Sequence, residues 1–258
     1  MKFAVHVRSG RPATHDFATR LGKEIEKNGG TVVEDRAVAP DMVLAVGGDG
    51  TMLAAVKSAV AWDVPVLGFN LGTLGFLTEA EPDDLAPVVN RLASGDFDVQ
   101  ERLTVSASIG GDWETGVNDV VVEKIDSTRL VSLTVFIDGT EFATYRADGL
   151  IIATPTGSTA YSFSAGGPVV DPHVDAIVLT PVASHSLFDR PLVLPADAEI
   201  AVTVHRDRLV RVNVDKTDLG QLNEGETVTI VRGNRPARFV TFGTTSFSGL
   251  VRQKFRLE

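Results

Sequence analysis

Residues 42–51, Met-Val-Leu-Ala-Val-Gly-Gly-Asp-Gly-Thr, decide how the first part of the chain folds. Met42 to Val46 read as a buried strand, and Thr51 to Ala61 carry helix signals. A glycine-rich turn between a strand and a helix sits at the carboxyl end of a parallel strand, the edge where open α/β sheets bind ligands. Gly47, Gly48 and Gly50 let a polyphosphate approach the backbone, and the following helix N-terminus favours its charge. No Gly-Lys-Ser/Thr follows, which excludes a Walker A loop, and the GxGxxG fingerprint is also absent. Asp49 would repel phosphate, so its carboxylate needs a different role, as a base, a magnesium partner or a helix cap.

Working outward, strand and helix signals alternate. Phe3–Val7, Thr31–Glu34 and Val64–Phe69 read as strands; Thr14–Asn28 and Pro82–Ser94 read as helices. Phe17, Leu21 and Ile25 share one helical face, and Gly29-Gly30 stops that helix. Alternation of this kind predicts a mostly parallel sheet covered by helices over residues 1–95.

From about Asp96 the period changes to two. Leu103–Ile109, Gly116–Glu123, Leu130–Ile137, Ile200–His205, Leu209–Val214 and Thr227–Val231 read as strands. Turns at Gly110-Gly111, Asp138-Gly139 and Asp207-Arg208 predict hairpins in an antiparallel, β-rich second domain over 96–239. The tail from about 240 to 258 is expected to pack back on the first domain, with the active site in the cleft between the two domains.

The chain has 258 residues and a formal charge of −10, from 34 acidic and 24 basic residues. Non-specific nucleic-acid binding is not expected, because it depends on clustered Lys and Arg. The Asp excess, with only seven lysines, is compatible with a high-salt host. No cysteine is present, so disulfides, thiolate metal sites and a cysteine nucleophile are excluded. No apolar run reaches the roughly 18 to 20 residues of a membrane span, and Met1–Val5 leads straight into a strand pattern. Cytoplasm is the expected location.

Residues 148–168, DGLIIATPTGSTAYSFSAGGP, hold four glycines, six Ser/Thr hydroxyls and one charge. A strand at 150–153 followed by a turn would let Ser158 or Thr159 cap a short helix through Ser164. Hydroxyls that donate and accept suit a ribose or an amide, although a tightly packed structural turn reads the same way from local chemistry. His185, in Ser184-His185-Ser186, reads as a polar loop residue.

GGDGT at 47–51, NLGTLGFL at 70–77, GVND at 116–119 and RADGLIIATPTGSTAYSFSAGGP at 146–168 occur in the order found in NAD kinases, and the chain resembles that family throughout. GGDGT alone is shared with lipid kinases of the diacylglycerol type and with phosphofructokinases; the 146–168 segment discriminates. The resemblance implies transfer of the ATP γ-phosphoryl group to the 2′-hydroxyl of the adenosine ribose of NAD. Asp49 becomes the base or orienting carboxylate, and Gly47, Gly48, Gly50 and Thr51 surround the phosphates. Asn118 and Asp119 match the family's Asn-acidic pair on the dinucleotide, Asp148 the aspartate at its nicotinamide end, and Arg129 and Arg146 basic positions near its phosphates. Thr156, Thr159, Ala160, Tyr161, Ser162, Phe163 and Ser164 match the dinucleotide segment, with Tyr161 placed to stack on a base. Phe76, with Leu77, matches a stretch on the adenine side, and Ala183 a loop approaching the same ligand.

One departure is the stretch Val214-Asp215-Lys216-Thr217-Asp218, where the family shows an Asp-Gly-Gln-like turn; Thr217 stands in place of the glutamine. The resemblance further implies magnesium or another divalent ion, ATP or polyphosphate as donor, and a homodimer or homotetramer. Two alternatives are a lipid kinase, disfavoured by the acidic charge, and a non-catalytic dinucleotide sensor.

Overall fold

Short apolar runs punctuated by glycine build the first unit. In chain order come β1 (Lys2–Val7), α1 (Pro12–Lys27), β2 (Thr31–Val32), β3 (Met42–Gly47), α2 (Asp49–Trp62), β4 (Val66–Asn70), α3 (Leu85–Ser94) and β5 (Asp98–Arg102). The structure is a computed structural model that describes all residues except 9, 11, 35, 36, 73, 74, 207, 244, 245 and 258. β2, β1, β3 and β4 pair in parallel, and β3 is buried along its whole length. On α1, Phe17, Leu21 and Ile25 turn to the core with Thr14, and the Phe17 ring lies 5.3 Å from that of Phe69. Burying each such large apolar side chain stabilises by about 1.5–3 kcal/mol. Left-handed residues end the other two helices, Asp63 (φ 56°) after α2 and Gly95 (φ 74°) after α3.

The second unit continues with β6 (Val105–Ile109), β7 (Asp112–Gly116), β8 (Asp119–Lys124), β9 (Val131–Ile137), β10 (Thr140–Ala147), β11 (Gly149–Ala153) and α4 (Tyr161–Ser164). After these follow β12 (Ala176–Val182), β13 (Leu192–Pro195), β14 (Ile200–His205), β15 (Val210–Val214), β16 (Thr217–Leu222) and β17 (Thr227–Arg232). They form two antiparallel sheets, ordered β10-β9-β14-β17-β6-β7 and β13-β12-β11-β8-β15-β16. Alternate residues such as Val120, Val122, Leu133, Val135, Leu150 and Ile152 meet in one core. The chain then returns to the first sheet with β18 (Ala237–Thr241), between β4 and β5, and ends in α5 (Phe247–Phe255). The compact units are thus Met1–Glu101 with Ala237–Glu258, and Arg102–Pro236.

Three local expectations are corrected. The helix expected from Thr51 begins at Asp49, because the Gly48 carbonyl already accepts from the Thr51 and Met52 N–H groups. The strand expected over Gly116–Glu123 is two strands, β7 and β8, broken at Val117-Asn118. The hairpin expected at 207–208 does not form, since β14 and β15 lie in different sheets; Asp207 itself is outside the described residues.

Candidate active site

In the first unit, β3 delivers Gly47 to the start of α2. A side chain at Gly47 would lie 2.4 Å from the Thr51 Oγ1, so the tight strand-to-helix turn needs glycine there. Gly48 occupies the N-cap without a side-chain bond, and Asp49 and exposed Gly50 open the helix. Asp49 therefore does not cap its own helix. Its Oδ2 accepts from the Phe76 N–H and its Oδ1 from the Leu77 N–H, both at 3.4 Å. A side chain on Gly75 would sit 2.2 Å from Asp49 Oδ1 and 3.0 Å from Thr78 Oγ1, which is buried without a partner. The GGDGT turn and the NLGTLGFL stretch thus meet at one carboxylate. Thr73 and Leu74 of that stretch are outside the described residues. Phe76 is half-buried, with its ring 6.0 Å from that of Phe255 and the Lys254 ammonium 5.3 Å from its centre; Leu77 is buried.

In the second unit, three strand ends converge. Asp119 opens β8, Ala153 closes β11 opposite it, and Val214 closes β15 opposite Val120. The peptides between Val117 and Asp119 are gripped from both sides. Asp215, just beyond β15, accepts the N–H groups of Val117 (2.6 Å), Asn118 (2.8 Å) and Asp119 (3.2 Å). Thr154, just beyond β11, donates its hydroxyl to the Val117 carbonyl (2.5 Å) and its N–H to the Asn118 carbonyl (2.9 Å). Within this grip the Asn118 Oδ1 is buried without a partner, an acceptor that a ligand hydroxyl or amine can satisfy. Asp119 is buried, and desolvation, reinforced by the Asp215 charge and opposed by Lys216, pushes its pKa up to about 7.

The glycine- and hydroxyl-rich segment packs over the outer side of this sheet. Thr156–Thr159 form one 3₁₀ turn and Tyr161–Ser164 one α-helical turn. The expected cap by Ser158 or Thr159 is absent: Ser158 Oγ donates to the Pro155 carbonyl and accepts from the Val170 N–H, and Thr159 Oγ1 donates to the Thr156 carbonyl. Ser162 is buried and shares a hydrogen bond with Thr180. Tyr161, Phe163 and Ser164 are exposed, while Ala160 is half-buried. Partial burial, reinforced by the negative charges of Glu123, Asp148 and Asp119, raises the Tyr161 pKa.

Asp148, between β10 and β11, forms an ion pair with Lys124. Arg146 is exposed on β10; its backbone is bonded to the N–H of His185 and the Oγ of Ser186. Arg129 is exposed before β9, and Ala183, exposed after β12, takes a left-handed φ of 46°. Thr217 opens β16. The sequence shows Thr154 only as one of the segment's hydroxyls and Asp215 only as part of the 214–218 stretch; for Asp215 the available signal was a carboxylate at a tight turn after an alternating strand. Among the described residues no three His, Cys, Asp or Glu side chains converge on a metal position. The glycine turn at 47–51 offers one carboxylate, Asp49, and one hydroxyl, Thr51, which fits an ion that keeps substrate oxygens and water in its shell.

Solved structures share this architecture. Yeast NADH kinase complexed with NADH covers 100% of this chain and 88% of its own, with a TM-score of 0.90 at 22% identity. An NAD kinase from Archaeoglobus fulgidus in complex with ATP covers 98% of this chain and 99% of its own, with a TM-score of 0.80 at 27% identity. The class is that of phosphotransferases with an alcohol acceptor. The family models described as ATP-NAD kinase N-terminal domain and ATP-NAD kinase C-terminal domain match residues 9–97 and 117–242. The NAD kinase of Moorella thermoacetica is 40% identical over 230 residues, 87% of this chain and 74% of its own. That of Methanopyrus kandleri is 39% identical over 224 residues, 86% of this chain and 80% of its own. The chain belongs to the NAD kinase family, and its activity is NAD kinase activity. Nothing in these matches favours a lipid kinase or a sensor.

Proposed function

We propose that Asp49 orients the 2′-hydroxyl of the adenosine ribose of NAD and takes up its proton as the ATP γ-phosphoryl group is transferred. The observation that carries this reading is the Asp49 carboxylate at the start of α2, tethered by the N–H groups of Phe76 and Leu77. Phosphoryl transfer depends on alignment and charge neutralisation, and tethering reduces the freedom lost on reaching the reactive geometry. Gly47, Gly48, Gly50 and Thr51 hold donor phosphates at the N-terminus of α2, with Phe76 on the adenine side.

Asn118 and Asp119 bind the dinucleotide, Asn118 through its unsatisfied Oδ1. Tyr161 stacks on a base, Thr159, Ala160, Phe163, Ser164 and Ala183 complete that surface, and the buried Thr156 and Ser162 support it from beneath. Asp148 serves the nicotinamide end, and Arg129 and Arg146 the phosphates. Magnesium would be held by substrate phosphate oxygens, water and Asp49, and it supplies charge neutralisation at the phosphates. The donor is ATP; polyphosphate is an alternative. The enzyme works in the cytoplasm as a homodimer or homotetramer. No helix among the described residues is long and apolar enough to cross a membrane.

Asp49→Asn is expected to keep NAD affinity by calorimetry and to lower turnover by about 10²- to 10⁴-fold. Near-wild-type turnover in that variant eliminates Asp49 as the base. A donor panel of ATP and polyphosphate against NAD and NADH, at low and high salt, sets the preferences.

A further inference from the structure

Three backbone N–H groups engage both oxygens of the Asp215 carboxylate. Oδ2 takes Val117, Oδ1 takes Asn118 and Asp119, and the Asp215 N–H returns a bond to the Asp119 carbonyl at 3.1 Å. This is more than a turn satisfying itself, since nearly a hundred residues separate the partners. The surroundings are shaped to the carboxylate. A side chain at Gly116 would lie 2.7 Å from the Asp215 Cγ, and Asp215 and Lys216 both take left-handed φ values, 45° and 73°, that L side chains rarely adopt. A strained two-residue turn thus lifts one carboxylate against three successive amides, and those amides belong to the peptide that carries Asn118 and Asp119.

We propose that Asp215 is a positioning residue for dinucleotide binding: by tying down the amides of 117–119 it fixes where the Asn118 and Asp119 side chains face. The inference rests on the reading that these two residues contact NAD. Charge-assisted bonds to three amides hold a peptide far more narrowly than one bond does. The carboxylate acts through that peptide, so its loss should be read in NAD recognition before chemistry or ATP binding.

The test uses Asp215→Asn and Asn118→Ala side by side in the full-length enzyme. The asparagine keeps the shape but turns one acceptor into a donor facing an N–H. The expected result is a rise of about tenfold in the KM for NAD in both variants, with kcat and the KM for ATP within about twofold. A wild-type KM for NAD in Asp215→Asn beside a raised one in Asn118→Ala overturns the proposal and leaves the reading of Asn118 standing. A wild-type KM in Asn118→Ala overturns that reading and the proposal with it. Should Asp215→Asn lose its cooperative thermal transition, Gly116→Ala, which presses on the same carboxylate from behind, is expected to give the same split. A fall in kcat and thermal stability together with a rise in both KM values in these variants assigns Asp215 to folding alone and overturns the proposal.

Discussion

Gly157 faces the backbone of Asn118 so closely that a side chain on it would stand 2.0 Å from the Asn118 carbonyl oxygen. That same carbonyl accepts the Thr154 N–H, and the Gly157 N–H donates to Thr154 Oγ1 at 3.1 Å. The three residues form one joint between the start of β8 and the segment beyond β11. Gly157→Ala is expected to destabilise the fold by about 1–3 kcal/mol, since the contact is with backbone and cannot be relieved by a rotamer change. Urea unfolding measures this, and an unchanged midpoint would show that the joint yields freely.

Gly75→Ala tests the other unit. The new methyl group would collide with Asp49 Oδ1, so the carboxylate must rotate away from the Phe76 and Leu77 N–H groups. Turnover is expected to fall about 10²-fold, the typical loss for a reacting group displaced by about 1 Å. The KM for NAD should stay close to wild type. Equal turnover in the variant and the wild type would show that tethering by this stretch is dispensable.

The buried acid at Asp119 makes stability depend on pH. Its pKa is raised from the usual carboxylate value of 3.8 to about 7 by burial first and the Asp215 charge second, with Lys216 opposing. The folded state therefore holds a proton that the unfolded chain has released. The contribution is complete below about pH 4 and is lost as pH rises through about 7. Asp215, also raised by burial, acts with the same sign. Lowered carboxylates such as Asp126, Asp171 and Glu226 act below this window. Thermal melts are expected to show the wild-type Tm falling between about pH 4 and 7 by more than that of Asp119→Asn. A wild-type Tm that rises over that range contradicts the assignment.

Tyr145 offers a stabilising change. Its side chain is fully buried between the two antiparallel sheets, and its hydroxyl has no hydrogen-bond partner. Leaving a polar group unsatisfied costs about 1–3 kcal/mol, so Tyr145→Phe should raise stability by about 1 kcal/mol. Guanidinium unfolding reads the shift, and a loss of stability would mean that the hydroxyl has a partner in solution.

Much of the α/β unit was legible because each of its strands is a short apolar run between breakers, with Met42–Val46 buried on both faces. The β-rich unit was legible at its hairpins and less so at its margins. β10, β13 and β16 lie at sheet edges, carry solvent-facing residues and lack a long apolar signature. β12 was passed over for another reason: Pro181 argues against a central strand, yet it lies opposite Leu150 in β11. Asp49 and Asn118 stood out through local motifs. Asp215 did not, because its meaning comes from amides nearly a hundred residues earlier, and no local pattern records such a distance.

The placement of β18 has a consequence for how the chain matures on the ribosome. β5 lies beyond β18 in the first sheet, so its place there stays open until residues 237–241 have been synthesised. The intervening β-rich unit has a hydrophobic core of its own and leaves the ribosome before β18 does. Synthesis that stops short of Ala237 leaves one side of β4 without a neighbour, a bare sheet edge open to pairing with other chains. Completion of the first sheet therefore waits on the segment that follows the β-rich unit.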